Sequence, residues 1–223
     1  MAKIQSGATS DLLTIDPTSK AARVTLYDST GRELFPKQTG SYMARIETRH
    51  TSAAAAGVTT WNFRGPTTLK AYIRSIRGCV AFDGTGLAAS GTMRYGLYRG
   101  TGAASPTGGA ATAAIKKNTT FGASTATSIR FDVTGVGLTT ASITYDTDPF
   151  YVIGMPAMQV QVAAPATSAS AGGIVPFNVV FHRAGDPDSD LVIGADEHFA
   201  LRLQTVSSII GFGIYGSVEW DER

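Results

Sequence analysis

The stretch Phe212-Gly-Ile-Tyr-Gly-Ser-Val-Glu-Trp220 alternates large apolar residues with small or polar ones. The segments Phe177–Phe181 and Phe199–Leu203 alternate in the same way. A period of two residues puts the apolar side chains of a strand on one face, so each segment predicts a half-buried β-strand. Counted along the whole chain there are about ten such segments with turn residues between them, the pattern of a sandwich or barrel. The sequence predicts an all-β fold, an antiparallel β-sandwich with the connectivity of a jelly roll.

One strand changes its apolar phase halfway along. Up to Ile73 the apolar residues are odd-numbered, whereas from Ile76 they are even-numbered. A regular strand cannot change phase without an extra residue. We therefore predict a β-bulge near Ser75–Gly78.

The composition supports strands over helices. Val, Ile and Thr total 56 residues, whereas Leu, Glu and Lys total 22. The first group favours pleated strands and the second favours helices. Hydrophobic residues make up 43% of the 223 and charged residues only 16%, so the chain can bury a core and is not globally disordered.

The first 20 residues are predicted to form an extended N-terminal arm. Their one apolar cluster is Leu12, Leu13 and Ile15. Burying three such side chains contributes about 5 kcal/mol, whereas ordering this many residues costs on the order of 20–40 kcal/mol. The arm therefore needs a surface to lie on, either the sandwich itself or a neighbouring subunit. Residues 21–223 are expected to form a single sandwich domain, with the strands at 22–48 as a candidate N-terminal subregion.

Charge and cysteine content narrow the possible partners. The net charge of +2 provides no electrostatic footprint for nucleic acid or for an acidic membrane. The single cysteine, Cys79, excludes a disulfide framework within the chain, and we expect it to be a small buried hydrophobe. The first residues lack the apolar core of a secretory signal, so we expect synthesis in a cytoplasm.

No catalytic arrangement is visible in the sequence. The three histidines, His50, His182 and His198, have no spacing that brings them together, and we expect them to be surface or half-buried residues. The common motifs for hydrolases, zinc peptidases and nucleotide binding do not occur. We expect a protein that is not an enzyme and has no cofactor.

One acidic cluster has part of the ligand spacing of a calcium-binding loop. Asp186, Asp188, Asp190 and Glu197 occupy positions 1, 3, 5 and 12 of such a loop. Position 6 is Leu191, where the loop requires glycine. An acidic turn between two strands is the simpler interpretation, and these four residues remain a weak metal candidate.

Arginine outnumbers lysine 13 to 6, and several arginines share strands with tyrosines. Both residue types are enriched at protein interfaces. An ordinary solvated sheet face is the alternative interpretation. The residues that we predict at partner interfaces are Leu12, Leu13, Ile15, Tyr72, Arg74, Arg94 and Arg99.

An ordered series of short motifs runs through most of the chain. The motifs are Tyr72–Arg77, Phe82–Thr85, Arg94–Arg99, Ser105–Gly109, Phe199–Arg202 and Gly216–Glu222, preceded by Gln5–Asp16 and Ala22–Tyr27. Together they resemble a group of tailed-bacteriophage virion structural proteins, and the opening segments resemble the N-terminus of similar phage proteins. The motifs cover turns and strand ends and include no catalytic residue.

The resemblance implies a structural role in the virion. Within that class, the length, the predicted arm and the lack of a fibrous shaft favour a capsid-associated decoration or cement protein that stabilises the head. A tail or baseplate component that binds a host receptor or a surface glycan is the alternative. The expected partners are the major capsid protein or other virion subunits and further copies of the chain, for example in a trimer, without nucleic acid or membrane.

Overall fold

The computed structural model describes residues 14–15, 22–23, 40–51, 55–82, 94–154, 174–181, 191–204 and 212–223. The chain forms two compact units, Met1–Lys37 and Gln38–Arg223. In the first unit, β1 (Thr14–Ile15) pairs antiparallel with β2 (Ala22–Arg23). Most of the predicted arm, including Leu12 and Leu13, lies outside the described residues.

The second unit contains two antiparallel sheets. The first, called sheet I, has the order β10–β6–β14–β4–β9–β7, and β11 also pairs with β6. Its strands are β4 (Thr59–Pro66), β6 (Arg94–Thr101), β7 (Ala110–Ala111), β9 (Ala126–Phe131), β10 (Thr144–Tyr145), β11 (Tyr151–Gly154) and β14 (Glu197–Leu203).

Sheet II has the order β12–β5–β15–β3–β8, and β13 also pairs with β5. Its strands are β3 (Gly40–His50), β5 (Ala71–Phe82), β8 (Ile115–Lys116), β12 (Ile174–Val180), β13 (Leu191–Ile193) and β15 (Phe212–Glu222). The strand β15 lies between β3 and β5 and pairs with both along its whole length.

The inner faces of the two sheets form one apolar core. Trp61 and Phe63 of sheet I and Trp220 of sheet II are fully buried, and the rings of Phe63 and Trp220 meet edge to face at 5.1 Å between centroids. The predicted all-β sandwich is therefore confirmed. The described residues contain no helix. The jelly-roll connectivity stays a prediction.

A β-bulge interrupts the pairing of β5 with β15. Ser75 pairs with Glu219 and Ile73 with Trp220, so Arg74 is the extra residue. The irregularity falls one residue before the predicted range. Because of it, Ile73 and Ile76 both point into the core although they are three residues apart.

Two glycines allow β5 and β15 to approach closely in the middle of sheet II. Gly78 and Gly216 are paired partners. A Cβ atom on Gly78 would collide with the carbonyl oxygen of Tyr215, and one on Gly216 with that of Arg77. Glycine is therefore required at both positions.

Loops join the two sheets at one edge of the sandwich. The Arg49 amide of β3 donates to the Asp132 carbonyl at 3.1 Å, and the Asp132 amide donates to the Thr60 carbonyl at 2.8 Å. The Asp132 carboxylate in turn accepts from the amides of Gly135 and Gly137, at 2.8 and 2.9 Å. The loop that follows β9 is thus held at its start by one buried carboxylate.

His50 lies in the core, which corrects the expectation that it is a surface or half-buried residue. Its ring stacks on Phe212 at 4.4 Å between centroids, and its Nε2 lies 3.1 Å from the hydroxyl of Tyr95. Burial lowers the pKa of His50 to about 4, although the nearby carboxylate of Asp132 opposes the shift. The imidazole is therefore neutral at pH 7.

We expect this pKa to make stability depend on pH. The folded pKa of His50 is below the usual value of 6.5, so the unfolded state binds more protons between the two values. Stability contributed by the neutral ring is fully present above pH 6.5 and falls by about 3 kcal/mol as the pH approaches 4. Measuring the free energy of unfolding from pH 7.5 to pH 4 checks this, and His50→Gln should flatten the slope.

His198→Gln is the matched control, because burial also lowers the pKa of His198. This variant should keep the part of the slope that His50 contributes. An unchanged slope in His50→Gln would contradict the assignment.

Candidate docking face on the outer side of sheet II

Two carboxylates at the end of β15 point away from the core and yet are nearly enclosed. Val218 and Trp220 point inward, so the alternation along the strand turns Glu219 and Asp221 to the outer face of sheet II. The side chain of Glu219 is only 10% exposed and that of Asp221 is 0% exposed. Burial of an ionised carboxylate is tolerated where cations and hydrogen bonds compensate for the lost water.

Glu219 lies between two cations. Its Oε2 is 2.6 Å from the Nζ of Lys117, and its Oε1 contacts the guanidinium of Arg77. Lys117 follows β8 directly, and its amide donates to the Ser41 carbonyl of β3 at 2.9 Å. The short strand β8 therefore brings a lysine that is distant in sequence to the end of β15.

Asp221 is held by two arginines. Both Nε and Nη2 of Arg74 contact its Oδ2, and Nη2 of Arg223 lies 3.6 Å from the same oxygen. The guanidinium of Arg223 also lies over the ring of Tyr72, 4.6 Å from its centroid. This stacking fixes the orientation of the Arg223 guanidinium.

The bulge at Arg74 makes this arrangement possible. Arg74 and Arg77 are three residues apart, so a regular strand would turn them to opposite faces of the sheet. The extra residue turns both toward the outer face, one over each carboxylate. The phase change that keeps Ile73 and Ile76 in the core thus also aligns the two guanidinium groups.

Solvent meets the cations of this face and not the carboxylates. The side chains of Arg74, Arg77 and Lys117 are 36%, 55% and 39% exposed. Four cations surround two carboxylates, which leaves a local excess of two positive charges. We call the six residues the cation row: Arg74, Arg77, Lys117, Glu219, Asp221 and Arg223.

Glu222 points to the opposite side of β15 and anchors a loop. It accepts the indole N–H of Trp220 at 3.1 Å and the amide and hydroxyl of Thr125 at 2.9 and 2.8 Å. The Ser124 hydroxyl donates to it at 2.5 Å. The backbone of the cation row is thus fixed from the inner side as well.

The predicted interface residues do not form one patch. Tyr72 and Arg74 lie on the outer face of sheet II, whereas Arg94 and Arg99 belong to β6 of sheet I. The Arg99 guanidinium donates to the Val192 carbonyl at 2.7 Å. Leu12 and Leu13 lie outside the described residues, and Ile15 is described only as a member of β1. The sequence reasoning missed Lys117, Glu219, Asp221 and Arg223.

A second polar cluster lies on the outer face of sheet I. His198 is fully buried there, with Nε2 2.8 Å from the Gly102 carbonyl and Nδ1 3.2 Å from the amide oxygen of Asn62. The amide nitrogen of Asn62 donates to the Tyr145 hydroxyl at 3.0 Å. Burial lowers the pKa of His198, and the hydrogen bond to the Gly102 carbonyl opposes the shift. The imidazole holds a loop onto the sheet.

An open groove of about 590 Å³ lies beside β9 on the same sheet. Six of its thirteen lining residues carry hydroxyl groups and five are alanine or proline, and the guanidinium of Arg130 donates to the Gly108 carbonyl at 3.1 Å. Its polar lining residues include Ser105, Thr107, Thr112, Thr127, Ser128 and Arg130.

The weak metal candidate is only partly described. Asp186, Asp188 and Asp190 lie outside the described residues, and Glu197 accepts the Gly194 amide at 2.5 Å within its own turn. Among the residues that the structure covers, no group of three or more His, Cys, Asp or Glu side chains could hold a metal ion.

Cys79 is half-buried on the outer face of sheet II, opposite Pro176, and not in the core as expected. The described part of the chain contains no helix that is long and apolar enough to cross a membrane.

Comparison with known proteins finds no matching family model, no similar curated protein and no matching solved structure.

The burial difference within the cation row predicts an asymmetric response to substitution. Arg74→Gln leaves the fully buried Asp221 carboxylate with only Arg223 as a cationic neighbour in the row, and should cost about 2–4 kcal/mol of unfolding free energy. Asp221→Asn should cost less, about 1–2 kcal/mol, because the Arg74 guanidinium can turn to water. Denaturant unfolding measures both.

Arg45→Gln is the control on the same face. Arg45 is 63% exposed, pairs with the half-exposed Glu47 at 2.9 Å and lies 5.6 Å from the ring centroid of Phe131. The loss of these two contacts of an exposed side chain should change stability by no more than about 1 kcal/mol. Equal costs for Arg74→Gln and Arg45→Gln would contradict the role assigned to the buried carboxylate.

Proposed function

We propose that this protein is a non-enzymatic structural component of a tailed-phage virion, a capsid-associated decoration or cement protein that stabilises the head. The motif series along the chain supports the virion class. The cation row is the observation that carries the docking role. It offers a rigid charged surface on the middle strands of a sheet, where a partner can bind without first ordering the side chains.

The described histidines favour a structural role over catalysis. His50 is hydrogen-bonded to Tyr95 inside the core, and His198 is hydrogen-bonded to Asn62 and Gly102 under a loop. Each imidazole thus serves the packing of the sandwich. A general base has to reach a substrate, and neither ring is exposed.

The partners proposed are the major capsid protein or other virion subunits, together with further copies of this chain. Charge-assisted contacts from arginine give orientation and specificity to such an interface. The protein would therefore be found on the virion after synthesis in the host cytoplasm.

The groove beside β9 favours a second candidate, a tail or baseplate component that binds a surface glycan. Its serine and threonine hydroxyls can exchange hydrogen bonds with sugar hydroxyls. It lacks the aromatic side chains that would stack on a sugar ring, and for this reason we rank the candidate second.

Locating the protein on virions by labelled electron microscopy tests the proposal. We expect signal distributed over the head with hundreds of copies, and binding of the purified protein to heads that lack it. Arg77→Glu should weaken that binding at least tenfold, because it reverses the charge of the most exposed residue of the cation row. Arg94→Glu, with the same change of charge on sheet I, should bind as the parent does.

Signal confined to the tail, with binding to host glycans, would replace the first candidate by the second. Absence of the protein from purified virions would contradict both.

A further inference from the structure

The cation row has a defined spacing along β15. Glu219 and Asp221 are separated by one residue, and residues two apart on a strand are about 7 Å apart. Each carboxylate has an arginine of β5 above it, Arg77 over Glu219 and Arg74 over Asp221. Since each guanidinium contacts its own carboxylate, the spacing of the two arginines follows that of Glu219 and Asp221 along the strand.

An extended acidic peptide has the same repeat. Carboxylates at positions i and i+2 of a strand point to one side and lie about 7 Å apart. Laid over the outer face of sheet II, such a peptide would bring one carboxylate to each arginine. An arginine guanidinium has five N–H donors in a planar fork, so it can engage the internal carboxylate and an incoming one together.

We propose that the cation row binds an extended acidic protein segment whose carboxylates recur at every second residue. Arg74 and Arg77 supply the repeat, and Lys117 and Arg223 supply charge at the two flanks. The inner carboxylates of Glu219 and Asp221 act as positioning groups, because they hold the cations before the partner arrives.

The same features disfavour a nucleic acid as the partner. The local excess of two positive charges and the net charge of +2 for the chain provide little of the attraction that polyphosphates require. The Arg223 guanidinium covers one face of the Tyr72 ring, which leaves less of this ring for stacking on a base.

This inference deepens the proposed docking role by naming the chemistry of the partner, and it rests on that role only for its biological setting. The test uses purified protein and needs no virion. Binding of the peptide with no virion location would therefore contradict the proposed function alone, whereas head binding through the cation row without binding of the alternating peptide would contradict the inference alone.

The experiment compares three fluorescent probes by anisotropy at physiological salt. The first is a synthetic serine peptide with two aspartates separated by one serine, which we call the alternating peptide, and the second is its isomer with the two aspartates adjacent. The third is a single-stranded oligodeoxynucleotide of equal charge. We expect the alternating peptide to bind about tenfold tighter than its isomer, because only half of the adjacent carboxylates can face the sheet.

Arg77→Gln and Lys117→Gln test the face itself. Each leaves Glu219 with one cation, so the fold is expected to survive, and thermal unfolding verifies this. Each should weaken the alternating peptide about five- to tenfold. Arg94→Gln is the matched control on sheet I and should leave the affinity unchanged.

Three results would overturn the proposal: no binding of the alternating peptide, equal binding of the two isomers, or tighter binding of the oligodeoxynucleotide. Equal weakening by Arg94→Gln and Arg77→Gln would also overturn it, because attraction by net charge alone would then account for the binding.

Discussion

The interaction on which sheet II depends is the burial of Asp221 beneath Arg74. A carboxylate that is fully enclosed on the outer side of a sheet requires a cation at a fixed place. The strand that carries it, β15, pairs with β3 on one side and with β5 on the other. A substitution at this ion pair is therefore expected to affect the packing of three of the longest strands of the sandwich, β3, β5 and β15.

The same ion pair connects packing with the proposed function. The bulge that carries Arg74 lets Ile73 and Ile76 remain in the core while two guanidinium groups lie on the outer face. The β-bulge that restores the apolar phase of β5 thus also forms the proposed docking surface. On sheet I, by contrast, loops cover part of the outer face, and its buried polar groups such as His198 serve to hold those loops.

Local patterns were sufficient for the fold class and insufficient for the site. Alternation with a period of two predicted the sandwich, because alternation depends on neighbours within one strand. The break in phase predicted the bulge near Ser75–Gly78, one residue after its place at Arg74. Lys117 was missed because its place beside Glu219 depends on the pairing of β8 with β3, which joins residues far apart in sequence.

The errors have the same origin. Arg94 and Arg99 share a strand with tyrosines, as Arg74 does with Tyr72. The order of the strands nevertheless assigns Arg94 and Arg99 to the other sheet. His50 was expected to be a surface or half-buried residue, whereas its burial results from contacts with Phe212 and Tyr95 in the core. Strand order and sheet partners are long-range properties, which a single sequence does not specify by its local pattern.

The central claim is that the extra residue at position 74 creates both the core phase and the cation row. Deleting Arg74 tests it most directly, with Arg74→Gln as the variant that keeps the residue count. The account predicts that the deletion lowers the unfolding free energy by several kcal/mol more than the substitution, because a regular strand would turn Ile73 out of the core. Equal stability of the two variants, with unchanged amide protection at Glu219–Glu222, would contradict it.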